Sequence, residues 1–182
     1  GSSTLSDILN DADSWINKNV TDLVEAAKPS NSTWTVTGVT NRGGATNQGD
    51  YGVERYQGGG TYSYTVNDLT KGIYKVGIKA MFRSSSNAAC LAVGNEGFVN
   101  SSAYLNANGK LVQIKDWYSS HAGDVNPNST GEFVNIADNG GYYAEVYTYV
   151  GDDGKLELNA VSESYYNYSW FLFNGITLTY YT

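Results

Sequence analysis

The stretch Ile73-Tyr74-Lys75-Val76-Gly77-Ile78-Lys79-Ala80-Met81-Phe82 constrains the fold more than any other part of the chain. Its side chains alternate with the period of two that belongs to a strand with one buried face. Residues 61–66 alternate in the same way, and further strand-like runs cover 110–114, 142–150, 155–160 and 170–181. Asn67-Asp68-Leu69-Thr70-Lys71-Gly72 and Gly151-Asp152-Asp153-Gly154 read as hairpin-type turns, with glycine where positive φ is wanted. Many short strands rich in aromatic and β-branched residues predict an all-β fold, an antiparallel β-sandwich.

The first residues follow a different rule. Leu5, Ile8, Leu9, Ala12, Trp15 and Ile16 recur at helical spacing behind a Thr4 or Ser6 cap. A second helical turn is predicted over 20–27, stopped by Lys28-Pro29. Gly1-Ser2-Ser3 reads as a tag remnant. The expected organisation is therefore a tag remnant and helical segment over 1–28 and a β-sandwich over 29–182. Composition narrows the function. The chain of 182 residues carries 18 acidic against 11 basic side chains, a net charge of −7. No basic patch is available to release counterions from phosphates, which argues against nucleic acid as a partner. No apolar run is long enough to insert in a membrane. The lone Cys90 sits in an apolar run and reads as a buried thiol, outside any disulfide framework. Cys/His ligand clusters, phosphate loops and nucleophile elbows are missing from the sequence, so no metal site is assigned and no cofactor is required.

Four segments break the strand rhythm: 41–51, 83–87, 116–129 and 162–169. They are polar and rich in glycine or serine, and loops on a rigid sandwich are where binding residues gather.

The order of several motifs resembles the galactose-binding-like β-sandwich domains of secreted Bacteroidetes glycan-degrading proteins. The matching stretches are Asn19-Val20-Thr21-Asp22-Leu23-Val24 before Pro29, then Trp34-Thr35-Val36 and Glu54-Arg55-Tyr56. Leu69-Thr70-Lys71-Gly72-Ile73-Tyr74-Lys75-Val76, ending at Ala80-Met81-Phe82-Arg83, is the most recognisable. Gly141-Tyr142-Tyr143 with Val146, Gly154-Lys155-Leu156, Trp170-Phe171-Leu172-Phe173-Asn174 and Leu178-Thr179-Tyr180-Tyr181 close the pattern. The resemblance implies a jelly-roll carbohydrate-binding module, secreted or at the cell surface. Such a module has no catalytic machinery of its own and is a monomeric part of a multidomain enzyme that acts on polysaccharide. It also implies core positions for Trp34 and Trp170. Related modules often hold a structural calcium ion near the chain ends. The family's Asp-Asn is replaced here by Asn174-Gly175, which removes one carboxylate from such a site.

Sugars suit aromatic side chains because a pyranose ring has an apolar face that stacks on them while its hydroxyls bond to polar neighbours. Two loop clusters have that character. Trp117 and Tyr118 are flanked by Asp116 and His121, and Tyr165, Tyr166 and Tyr168 surround Asn167. Arg83, at a strand end, adds a guanidinium able to meet vicinal hydroxyls or a sugar carboxylate, or alternatively to form a structural ion pair with Glu54. The expected ligand contacts are Trp117, Tyr118, Tyr165, Tyr166, Tyr168, Arg83, Asp116 and His121. Two other classes compete: a structural or adhesin-like accessory domain, favoured by the N-terminal helix, and a small polysaccharide lyase built on His121 and a tyrosine. A glycosidase needs two facing carboxylates, and nothing in the spacing of Glu132, Glu145, Glu157 and Glu163 selects a pair.

Overall fold

The computed structural model describes residues 17–21, 34–37, 45–47, 53–56, 59–83, 103–114, 132–133, 136, 142–163 and 169–181. Eleven strands run through them in chain order: β1 (Asn17–Asn19), β2 (Thr35–Thr37), β3 (Ala45–Asn47), β4 (Val53–Tyr56), β5 (Gly60–Val66), β6 (Gly72–Arg83), β7 (Ala103–Ala107), β8 (Lys110–Ile114), β9 (Tyr143–Val150), β10 (Leu156–Ser162) and β11 (Trp170–Tyr181). They form two sheets, a larger one in the order β3-β4-β11-β6-β9 with β1 also beside β11, and a smaller one in the order β2-β5-β10-β7-β8. Every pairing is antiparallel.

The expected all-β antiparallel architecture is thus present. The two long strands β6 and β11 lie side by side at the centre of the larger sheet and supply most of its inner face. Tyr74, Val76, Ile78, Ala80 and Phe82 from β6 meet Tyr62 and Val66 of β5, Leu156, Leu158 and Ala160 of β10, and Leu105 of β7. Burying one such large side chain contributes about 1.5–3 kcal/mol. Trp34 occupies the core position expected of it, edge-on to Phe173 at 5.1 Å.

Strand β11 buries Phe171 and Phe173, then Ile176 and Leu178, so its inward parity switches midway. An unbroken strand would turn Ile176 and Leu178 outward, because faces alternate strictly. The switch is a bulge at Gly175: Asn174 pairs with Lys79, Ile176 pairs with Ile78, and the intervening glycine has φ +65°. That left-handed conformation favours glycine. Gly175 therefore serves a backbone purpose in this chain.

Three sequence expectations need correction. The turns at 67–72 and 151–154 are not hairpins. The first carries the chain from β5 in the smaller sheet to β6 in the larger, and the second carries it from β9 back to β10. These two crossings lean on each other, with Leu69 N donating to Gly154 O at 3.0 Å and Lys71 Nζ 3.1 Å from Asp152 Oδ1. Segment 41–51 contains strand β3, paired with β4. Asn17–Asn19, between the two predicted helical stretches, is strand β1 on β11, so the sheet draws in residues ahead of position 29. The predicted N-terminal helix, Trp15 and Cys90 lie outside the described residues.

Candidate functional site

Alternation along β9 sends Ala144, Val146, Thr148 and Val150 inward and Tyr143, Glu145, Tyr147 and Tyr149 outward. The same parity on β6 turns Lys75, Gly77, Lys79 and Met81 to the outside of the larger sheet. This outer face has two halves. On one, Met81, Leu172 and Trp170 join Phe133 and Tyr142 in a second buried cluster, separate from the main core. Lys79, nearly buried, donates from Nζ to the Ile136 carbonyl and sits 5.4 Å over the Phe133 ring. Phe133 and Ile136 therefore cover this half.

Among the described residues nothing covers the other half, which is lined by tyrosine. Tyr143 and Tyr149 are 40% and 44% exposed. Tyr143 leans across the central strand, and its hydroxyl stands 2.7 Å from Thr177 Oγ1 on β11. Gly77 lies beneath this contact, and a Cβ there would fall 1.7 Å from the tyrosine oxygen. Tyr147 likewise leans toward Tyr181, with ring centroids 5.5 Å apart and tilted 59°. Between these bridges Lys75 Nζ lies 3.8 Å from Glu145 Oε2. Tyr149 closes the row beside Gly151 and the Lys71–Asp152 pair.

The electrostatics follow from this packing. Burial raises the Tyr143 phenol above its ordinary pKa, while the Thr177 hydrogen bond partly opposes the shift. Lys71 is held above its usual value by hydrogen bonding and charge attraction to Asp152, with Tyr149 adding to it. On the smaller sheet's outer face, Tyr104 is raised by burial and by its 3.0 Å hydrogen bond to Glu163. These phenols stay protonated at neutral pH, and Tyr104 donates its proton to Glu163. The face can stack flat apolar surfaces and exchange hydrogen bonds with hydroxyl-bearing ligands.

Among the predicted contact residues, Arg83 lies within the described residues. It is 8% exposed, with its guanidinium 4.7 Å over the Trp170 ring on the roofed half of the face. Trp170 is buried, as expected, in the second cluster. The side chain of Glu54 and residues Trp117, Tyr118, Tyr165, Tyr166, Tyr168, Asp116 and His121 lie outside the described residues. Of the acidic candidates, Glu145 is on the outer face of the larger sheet, whereas Glu157 and Glu163 belong to the smaller sheet's outer side. Glu157 and Glu163 are six residues apart along one strand direction, about 20 Å at the usual rise and too far for paired carboxylate chemistry. No group of three metal-binding side chains occurs among the described residues.

The outward tyrosines of β9 were not among the expected contacts. Their signal was available in the sequence: Tyr143, Tyr147 and Tyr149 share the parity of Glu145 in a strand whose other face is Ala, Val, Thr and Val.

No protein-family model matches the chain, and no curated protein matches it. Solved structures with a similar fold include the carbohydrate-binding module TmCBM61 in complex with β-1,4-galactotriose, at 11% identity and TM-score 0.42, covering 90% of this chain and 86% of that one. The CBM36-1 domain of a multidomain xylanase from the hindgut metagenome of Trinervitermes trinervoides is 12% identical, with TM-score 0.42 and coverage of 90% and 95%. The insecticidal crystal protein Cry2Aa is 11% identical, with TM-score 0.39, covering 82% of this chain and 19% of that one.

Proposed function

We propose that this domain is a non-catalytic carbohydrate-binding module that holds a larger secreted or surface-attached enzyme on polysaccharide. The observation that carries the reading is the row of outward tyrosines on β9, two of them exposed and one leaning over Gly77 to Thr177. Exposed rigid rings cost little entropy on binding, and the adjacent Glu145, Lys75 and Thr177 supply donors and acceptors for sugar hydroxyls. Tethering raises the local concentration of substrate for a linked catalytic domain. Trp117, Tyr118, Asp116 and His121, with Tyr165, Tyr166 and Tyr168, form the proposed loop contacts beyond this face. Affinity is expected on the order of micromolar to millimolar, because the loss of water from hydroxyls offsets much of each hydrogen bond.

The test is affinity electrophoresis against soluble xylan, β-glucan, mannan, galactan and pectin, with and without chelator. Retardation on one polymer class supports the reading. A folded protein that migrates freely through every gel overturns it in favour of a structural spacer.

A further inference from the structure

We infer that the open face takes a neutral polysaccharide laid lengthwise along β9, in preference to an acidic glycan or a single terminal sugar; this rests on the binding role proposed above. Two independent features carry it. The first is geometry. Tyr143 and Tyr149 are the exposed rings of the face, and six residues of strand separate them by about 20 Å. One sugar ring covers one of these side chains, so a ligand using both is a chain several units long. Glu145 and Tyr147 lie between them with the same outward parity, giving the middle units a polar group and a further ring.

The second feature is charge. Lys75 on the open face has Glu145 as its counter-charge at 3.8 Å, and Lys71 beside Tyr149 has Asp152 at 3.1 Å. Lys79, the second lysine of β6 on this side, is buried and turned to the Ile136 carbonyl. A sugar carboxylate or sulfate would have to compete with Glu145 or Asp152 for its cation. It would do so on a protein of net charge −7. Neutral hydroxyls carry no such penalty and can bond to both members of each pair.

Calorimetric titration tests this with neutral and acidic ligand sets, each running from disaccharide to hexasaccharide. Neutral sets come from xylan, β-glucan, mannan and galactan, and the acidic set is oligogalacturonate; all are measured at low and high salt. One neutral set should bind, with affinity rising about tenfold or more from disaccharide to hexasaccharide and little change with salt. Tyr143→Ala and Tyr149→Ala should each return the hexasaccharide to roughly the affinity of a shorter ligand, with an unchanged circular dichroism spectrum. Tightest binding to oligogalacturonate, equal affinity for all lengths, or full hexasaccharide binding by both variants would each overturn the inference and leave glycan binding itself intact. Absence of binding to every ligand by folded protein would instead remove the binding role on which it rests.

Discussion

The hydroxyls of Tyr143 and Thr177 stand 2.7 Å apart over Gly77, joining the two strands that flank β6. This contact needs the missing side chain, since an added Cβ would lie 1.7 Å from the tyrosine oxygen and 2.3 Å from Thr177 Oγ1. Gly77→Ala should therefore push the ring tip away and break the bond. The atoms displaced belong to surface side chains, so the cost is about 1 kcal/mol, or a fall of roughly 2–4 °C in melting temperature. Glycan affinity should fall further than this small loss of stability explains. Thermal melts alongside titration of the same variant decide it, and unchanged binding would show that the tilt of Tyr143 is irrelevant to the ligand.

Asn108 holds the β7–β8 hairpin against both sheets. Its amide nitrogen donates to the Tyr149 carbonyl at 3.1 Å and the Lys155 carbonyl at 2.9 Å, while its oxygen accepts from Glu157 N at 2.8 Å. It also has φ +49°, followed by Gly109 at +87°, the geometry of a tight two-residue hairpin turn. Two variants separate these roles. Asn108→Gly keeps the backbone conformation and loses the three bonds, at about 2–3 kcal/mol. Asn108→Ala loses the bonds and strains the turn, adding about 1 kcal/mol. Urea denaturation should rank them wild type, Gly, Ala, and equal stability of the two variants would remove the backbone contribution.

Alternation and runs of aromatic and β-branched residues were enough to recover β5, β6, β8, β9, β10 and β11. They could not say which sheet a strand joins. The 67–72 and 151–154 segments have the composition of hairpin turns, yet both cross between sheets, since short polar glycine turns serve either path. The hairpin at Asn108-Gly109 carries a strong local turn signal, but β7 before it (Ala103–Ala107) is only five residues long, with Leu105 its one large apolar side chain, and was passed over. Of the candidate site, the loop aromatics stood out by composition. The β9 tyrosines did not, because outward parity distinguishes a binding strip from a packed one only when neighbouring cover is known. Among the described residues, Phe133 and Ile136 cover half of that face and none covers the other half.

Alkaline conditions should weaken the fold through its phenols. Tyr143, Tyr74 and Tyr104 all have folded-state values raised mainly by burial. A raised value means that the native state holds its proton more tightly than the unfolded chain does. The resulting stabilisation is complete below the unfolded phenol value of about 10 and is lost as pH rises through the folded values. Stability should therefore decline above about pH 10. Tyr143→Phe should make that decline shallower, read from denaturation midpoints beside an ultraviolet phenolate titration. A parent and variant with the same slope would exclude Tyr143 from the effect.

Phe133 is fully buried in the second cluster, edge-on to Tyr142 at 5.7 Å, and helps roof Met81, Trp170 and Leu172. Phe133→Ala should cost about 3–5 kcal/mol and expose Trp170, seen as a red shift of its fluorescence. This cluster is distinct from the main core, so the β-sheet circular dichroism signal should survive at room temperature. A loss near zero would mean that the roof contributes little to holding that face.

Trp117 and Tyr149 represent the two places where a glycan is proposed to meet this domain, a loop and a sheet face. A surface aromatic that serves a ligand can be truncated with little effect on stability, whereas a packed one cannot. Trp117→Ala is therefore expected to lower polysaccharide affinity about tenfold or more while leaving the melting temperature within about 1 °C. Tyr149→Ala should give the same signature. The double variant then reports on geometry: losses that add belong to a chain contacting both places independently, and a large interaction energy marks one connected site. If Trp117→Ala binds as well as the parent, the ligand lies on β9 alone. If instead it melts several degrees lower with affinity intact, Trp117 is an anchor of its loop and the sheet face carries the binding.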